Sequence, residues 1–287
     1  MKDKIILITG ATSGIGFQTA LALAKMGAQI IVTGRNKTSA EESVANIKSA
    51  SGNSCVDFLL ADLTKQAEIR ALVETFKQKY SRLDVLINNA GLVEPIRRLT
   101  EDGVEAIFSV NTVAPFLLTH LLLDSLKASP SPRVVTVTGG DVVPIDLENL
   151  QAEKSFLSLN TYSQAKVCMM ALMVEFAQRE KNVAVNVCFP GGASTNMTTS
   201  IQPEMAPTIL KLIWPLFKWM TRPDNGKSAA KASRSSVYLA SSEDVEGMSG
   251  KYFNTNCKIV EFPTFVMDTT TRGKVWEAVV HVSNFVG

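Results

Sequence analysis

The chain has 287 residues, 46% of them hydrophobic and 20% charged, an ordinary globular balance and enough length to bury a core without disulfide staples. Its 29 basic and 27 acidic residues are scattered, for a formal charge of +2, which argues against a nucleic-acid footprint with its clustered basic charge. There is no run of about 18 uncharged apolar residues to read as a membrane span. Four cysteines, Cys55, Cys168, Cys188 and Cys257, form no CxxC pair. They read as reduced core thiols of a cytosolic protein, so a cytoplasmic location is expected. Two histidines, His120 and His281, have no partner at ligand spacing, so no metal site is expected. His120 reads as a packed helix residue. Lys2, Asp3 and Lys4 lead straight into Ile5–Ile8, too short for a signal-peptide core.

Taken in order, the chain alternates strand and helix signals. Ile5–Thr9 reads as a strand and Ile15–Met26 as a helix. Gln29–Thr33 is the second strand, Ser39–Ser49 the next helix, Val56–Leu60 the third strand and Gln66–Tyr80 a helix. Leu83–Ile87 is the fourth strand, followed by helical stretches at Glu101–Val110 and Ala114–Lys127. Val134–Val137, a long helix at Ser163–Gln178, and Val183–Cys188 come next. A helix at Ser228–Ala240 and a short strand at Lys251–Asn254 complete the core. Strands that are near-continuous Ile, Val and Leu runs are covered on both faces, and strands alternating with helices form a parallel sheet with right-handed crossovers. The expectation is an α/β, doubly wound Rossmann fold with a seven-stranded sheet in the order 3-2-1-4-5-6-7. No Gly-, Ser- or Pro-rich linker divides residues 1–287, which read as one domain.

One stretch breaks the rhythm. Met205–Met220 is apolar, with Pro207 and Pro215 inside it. It falls within 197–226, an insertion after the carboxyl end of a strand, where ligands of such sheets bind, and reads as a substrate flap.

Thr9-Gly10-Ala11-Thr12-Ser13-Gly14-Ile15-Gly16 joins the first strand to the first helix. Gly10 permits the sharp turn, Gly14 lets backbone approach a pyrophosphate, and Gly16 allows close helix–strand packing. The helix start offers free amides and positive dipole to phosphates. A dinucleotide-binding turn is expected, formed by Gly10, Thr12, Ser13, Gly14, Ile15 and Gly16. A site for NAD ends its second strand on Asp or Glu. Here that end reads Val32-Thr33-Gly34-Arg35-Asn36: Gly34 stands in the acid's place, and Arg35 offers a planar fork suited to a 2′-phosphate. NADP(H) is the expected cofactor. The lesser alternative for Arg35 is a solvated loop residue.

Tyr162 and Lys166 are four apart on one helix and share a face. A free phenol titrates near 10. A neighbouring ammonium lowers that value, so the pair can give a proton to a reduced carbonyl or take one from an alcohol.

The turn, Asp62-Leu63, Asn88-Asn89-Ala90-Gly91, Asn111, Tyr162 with Lys166, and Pro190-Gly191 followed by Thr195 stand in a single order and spacing. In these motifs, over almost its whole length, the chain resembles the short-chain dehydrogenase/reductase family. The resemblance implies that Asp62 and Leu63 lie near the adenine, and that Asn88, Ala90 and Gly91 flank the central strand and the adenosine ribose. It implies that Lys166 holds the nicotinamide ribose, that Pro190, Gly191 and Thr195 line the cofactor, and that Asn111 anchors a helix kink and a water of the proton relay. By residue type alone, Asn88-Asn89 reads as a plain turn and Asn111 as a helix cap.

The family places a catalytic Ser at the end of its fifth strand. Here the strand runs Val134-Val135-Thr136-Val137-Thr138-Gly139-Gly140, which puts Gly139 in that place. Losing such a donor lowers rates by roughly 10²–10³. Thr138 substitutes if the glycine pair lets the turn shift; otherwise Tyr162 polarises the oxygen alone. Restoring a hydroxyl by Gly139→Ser is expected to raise the rate or leave it unchanged.

Ile145–Leu150, Glu153-Lys154 and Phe156, then Val245–Phe253 and Val275-Trp276-Glu277, resemble the retinol-dehydrogenase-like branch. That resemblance implies a small lipophilic alcohol or carbonyl substrate. Three readings stay open: an NADP(H)-dependent oxidoreductase of lipophilic substrates, a cofactor-binding protein with weak or no catalysis because of Gly139, and a reductase of a polar metabolite. In the last, the apolar 205–220 stretch is only an oligomer contact, for instance of a homodimer. The same stretch would also suit peripheral contact with a membrane.

Overall fold

The computed structural model describes residues 1–206, 214, 215, 218 and 221–285. Most of the Met205–Met220 stretch, and with it the reading of that stretch as flap, dimer contact or membrane contact, lies outside the described residues.

β1 (Ile5–Ile8) is buried at all four positions, which is why it is aliphatic throughout. β2 (Gln29–Gly34) pairs with it on one side and β4 (Val85–Asn88) on the other, both parallel. β3 (Val56–Leu60), β5 (Arg133–Val137), β6 (Ala184–Cys188) and β7 (Tyr252–Phe253) extend the parallel ladder. β8 (Ile259–Val260) adds an antiparallel edge, so the sheet has eight strands, ordered β3-β2-β1-β4-β5-β6-β7-β8. The expected order holds and the strand count does not. A two-residue edge strand gives no periodic signal, since alternation needs about four residues to be read.

Each face of the sheet carries a core. On one face, β1 and β2 contribute Ile6, Ile8, Ile30 and Val32 to a cluster with α1 (Gly14–Lys25) and α2 (Lys37–Ser51). On the other, Leu7, Ile31, Leu86 and Val134 pack with α3 (Gln66–Lys79) and the chain from Ala106 to Leu126. That segment is one interrupted helix: α4 (Ala106–Phe108), a π-helical turn at Ser109–Val113, α5 (Ala114–Leu121) and α6 (Leu123–Lys127). The helical reading of Glu101–Val110 is corrected at its start. Glu105 has extended backbone, and its carboxylate accepts from the amides of Ile107 and Phe108, capping the helix there.

α7 (Ser158–Arg179) is buried on almost every side, between the sheet and the carboxy-terminal α10 (Thr269–Val282), with α9 (Thr264–Met267) before it. The fully buried Arg272 fastens this layer: its guanidinium donates to Glu175, 3.2 Å away, and to Gln178, at 3.3 Å. His120 is a packed helix residue, as expected, among the rings of Phe116, Phe176, Trp276 and Phe285. Cys168 and Cys188 are core thiols, but Cys55 is exposed and Cys257 only half-buried. Both lie in connections beside strands, where alternation no longer sets burial.

Candidate active site

The carboxyl ends of β1 to β6 lie along one edge, and the residues of interest lie at these strand ends or on the loops and helices that leave them. Gly10 has left-handed backbone (φ 63°), and a Cβ there would stand 2.9 Å from the Cα of Ala90. Both conformation and room therefore require glycine. The turn is held from both sides. The Asn89 amide donates to the carbonyls of Thr9 at 2.9 Å and Gly10 at 3.2 Å, while Thr9 Oγ1 accepts from the backbone amides of Asn89 and Ala90. On the far side Ser43 Oγ donates to the Ala11 carbonyl at 3.0 Å. Ser13 precedes α1 with extended backbone and makes no side-chain cap. The first amides of α1 thus keep their donors for a ligand, and the cradle fits the pyrophosphate of a dinucleotide. Thr195, which caps α8 (Asn196–Thr199), faces Gly14 across the turn, its Cγ2 lying 3.1 Å from where a Cβ on Gly14 would be.

Further along the edge, Arg35 is exposed just past β2. Burial pushes the carboxyl of nearby Asp62 up, but the amide and hydroxyl of Thr64, at 2.9 and 2.8 Å, with the charges of Arg35 and Lys65, hold it below the usual carboxylate range. Leu63 packs against the main core. Pro190 and Gly191 follow β6. Asn88 is the last residue of β4. It is 2% exposed, and its amide nitrogen bonds Thr119 and Thr136 inside the core, because the last residue of a central strand still alternates inward. The side chain that reaches the turn is that of Asn89.

Tyr162 and Lys166 lie one turn apart on α7 and are both buried. Lys166 Nζ donates to the carbonyls of Val137 (3.3 Å) and Ala90 (3.4 Å) and lies 5.9 Å from the centre of the Tyr162 ring. A Cβ on Gly91 would be 3.7 Å from that nitrogen and 3.3 Å from Asn111 Oδ1, so these groups converge on one spot. Asn111 sits in the π-helical turn, where Nδ2 donates to the carbonyls of Ile107 and Leu92 and Oδ1 accepts from the Leu92 amide. It is thus the polar centre of a helix kink and not a cap.

The expected lowering of the phenol pKa by the lysine is not found. Burial pushes Tyr162 above its ordinary value and Lys166 down to about 8. The ammonium is aimed at two carbonyls, and desolvation dominates the phenol. The Tyr162 phenol is therefore protonated across the neutral range. Position 139 faces the phenol: a Cβ on Gly139 would lie 2.8 Å from the Tyr162 hydroxyl oxygen. The strand end thus keeps the gap-free register. Thr138, buried beside it, donates its amide to the Cys188 carbonyl.

The short chain dehydrogenase family model matches residues 4–206. The chain belongs to the short-chain dehydrogenase/reductase family.

Among this dehydrogenase's relatives, human retinol dehydrogenase 14 is 36% identical over 297 residues, covering 96% of this chain and 85% of that protein. Human polyprenol dehydrogenase is 36% identical over 262 residues, covering 87% and 76%. These place the chain on the retinol-dehydrogenase-like branch, and it is an oxidoreductase acting on CH–OH groups with a nicotinamide cofactor. A crystal structure from Mycobacterium paratuberculosis shares the fold, with TM-score 0.75, 23% identity, and coverage of 99% of this chain and 94% of that one. Among the described residues no helix is long and apolar enough to cross a membrane. Thr9, Ser43 and Asn89 support the site in roles the sequence reading did not give them, although Thr9 and Asn89 stand in its motifs. The first two are ordinary residues of a strand end and a helix, and only their hydrogen bonds across 32 to 81 positions mark them.

Proposed function

We propose that the protein is an NADP(H)-dependent oxidoreductase of a small lipophilic alcohol or carbonyl, with Tyr162 as the proton donor and acceptor. The observation that carries this reading is the convergence of Lys166 and Asn111 beside Gly91, with the Tyr162 ring centre 5.9 Å from the lysine nitrogen. Gly10, Thr12, Ser13, Gly14, Ile15 and Gly16 would hold the pyrophosphate. Arg35 would hold the 2′-phosphate, with Asp62, Leu63, Asn88, Ala90, Gly91, Pro190, Gly191 and Thr195 around the rest. Bound there, the nicotinamide supplies or receives the hydride. In reduction, the Tyr162 hydroxyl hydrogen-bonds the substrate oxygen and gives it a proton; in oxidation the same oxygen takes one back. Lys166 stabilises the phenolate left behind and orients the ribose, and Asn111 connects the lysine to solvent through a water. With Gly139 bearing no hydroxyl, the phenol is the side-chain donor assigned to the oxygen.

NADPH oxidation against a panel of aldehydes, ketones and quinones tests the activity. Tyr162→Phe should abolish turnover on any substrate found and leave NADPH binding nearly intact. A panel without turnover, or an active Tyr162→Phe protein, would defeat the reading.

A further inference from the structure

β2 ends at Gly34, the place where chains that select NAD carry an acid. Nothing in the backbone there requires glycine: Gly34 is absent from the residues of positive φ, and it pairs in register with Leu60. What excludes a side chain is Thr12. A Cβ on Gly34 would stand 2.6 Å from Thr12 Cγ2, whereas carbon atoms rest about 3.5–4.0 Å apart. Neither backbone can retreat. Gly34 is fixed in the ladder, and its carbonyl accepts from Ala61 at 3.0 Å. The turn around Thr12 is pinned by Ser43 at Ala11 and by Asn89 at Gly10. Only the Thr12 side chain can yield, and a β-branched residue has few χ1 wells to move into.

We propose that Thr12 is a specificity-determining residue that acts through Gly34, its methyl filling the space that an acidic side chain at position 34 would need. The proposal rests on the NADP(H) reading above and adds its cause. An acid here would accept a hydrogen bond from the ribose 2′-hydroxyl and repel a 2′-phosphate. The methyl keeps that acid out and leaves the charge of Arg35 facing the phosphate without a carboxylate at the strand end. Converting the site to NADH therefore takes two changes, one at each position.

The test measures NADPH and NADH dissociation constants by fluorescence titration, and melting temperatures, for the native protein, Thr12→Ser, Gly34→Ala, Gly34→Asp and both Gly34 variants combined with Thr12→Ser. Gly34→Ala should lower the melting temperature in the native background and cost little once Thr12→Ser has removed the methyl. Gly34→Asp alone should weaken NADPH at least about tenfold and gain no NADH affinity. Adding Thr12→Ser should then tighten NADH about tenfold. The proposal is overturned if Gly34→Ala costs the same in both backgrounds, or if Gly34→Asp alone gains NADH affinity as fully as the double variant. Should Gly34→Asp fail to fold, the alanine pair decides. A native protein that binds NADH more tightly than NADPH would instead refute the NADP(H) reading, and the melting temperatures of the alanine pair would still judge the contact itself.

Discussion

The hydroxyl oxygen of Tyr162 occupies the space that a side chain on Gly139 would need, 2.8 Å from the position of its Cβ. The next residue tightens the fit: Gly140 has left-handed backbone, and a Cβ on it would meet Ser163 Oγ at 2.8 Å and the Tyr162 ring at 3.1 Å. The glycine pair is therefore more than a missing donor, because it lets the phenol lie against the strand end.

This reverses the expectation for Gly139→Ser. The new Cβ would push the phenol aside before its hydroxyl could help, and a misplacement of about 1 Å at a reacting group can cost 10²-fold. The variant should lose roughly 10- to 100-fold in kcat/KM with NADPH affinity unchanged. Steady-state kinetics beside a binding titration separate the two, and a rate equal to native or above it would show that Tyr162 yields freely.

The pH profile should follow Lys166. Burial holds its ammonium down to about 8, so the cation is lost as pH rises through that value. Carbonyl reduction, which needs the cation beside the phenol, should fall on the alkaline side of about pH 8. Arginine stays charged throughout. Lys166→Arg should therefore be slower at pH 7 yet show no alkaline fall between pH 7 and 9.5. A native profile flat to pH 9.5 would contradict this.

Arg35→Ala should weaken NADPH by about 10- to 100-fold, the range of about 1.5–3 kcal/mol for hydrogen bonds to charged groups, and leave NADH within about twofold. Paired titrations measure both. Equal losses for the two cofactors would remove Arg35 from the 2′ site.

Away from the site, acid stability should hinge on Asp84, which is fully buried. Burial pushes its carboxyl up, but the Ser129 hydroxyl at 2.6 Å and the Ile5 amide at 2.8 Å, with the charges of Lys4 and Arg82, hold it below the ordinary value of 3.8. A group depressed in the folded state stabilises above its unfolded pKa and loses that contribution as pH falls through the folded value. Asp84→Asn should cost about 2–3 kcal/mol at pH 7 and flatten the acid limb of stability against pH. Urea melts from pH 7 to pH 3 read both effects.

The sequence by itself determined the parallel sheet and its order, because strands buried on both faces must be aliphatic and βαβ crossovers have one hand. It also determined the glycine turn, the i, i+4 placement of Tyr162 and Lys166, and the gap at Gly139, since these are local in the chain. The tertiary structure alone decided what depends on distance between segments. It turned Asn88 inward and brought Asn89 to the turn. It set Asn111 inside a π-helical kink, which requires the Leu92 backbone 19 residues away as partner. It also determined that burial, and not the lysine, governs the phenol. The contacts of Thr12 with Gly34 and of Tyr162 with Gly139 join positions more than 20 residues apart. Residue type shows that a glycine is present at such a position, but only the packing shows which neighbour's side chain keeps it one.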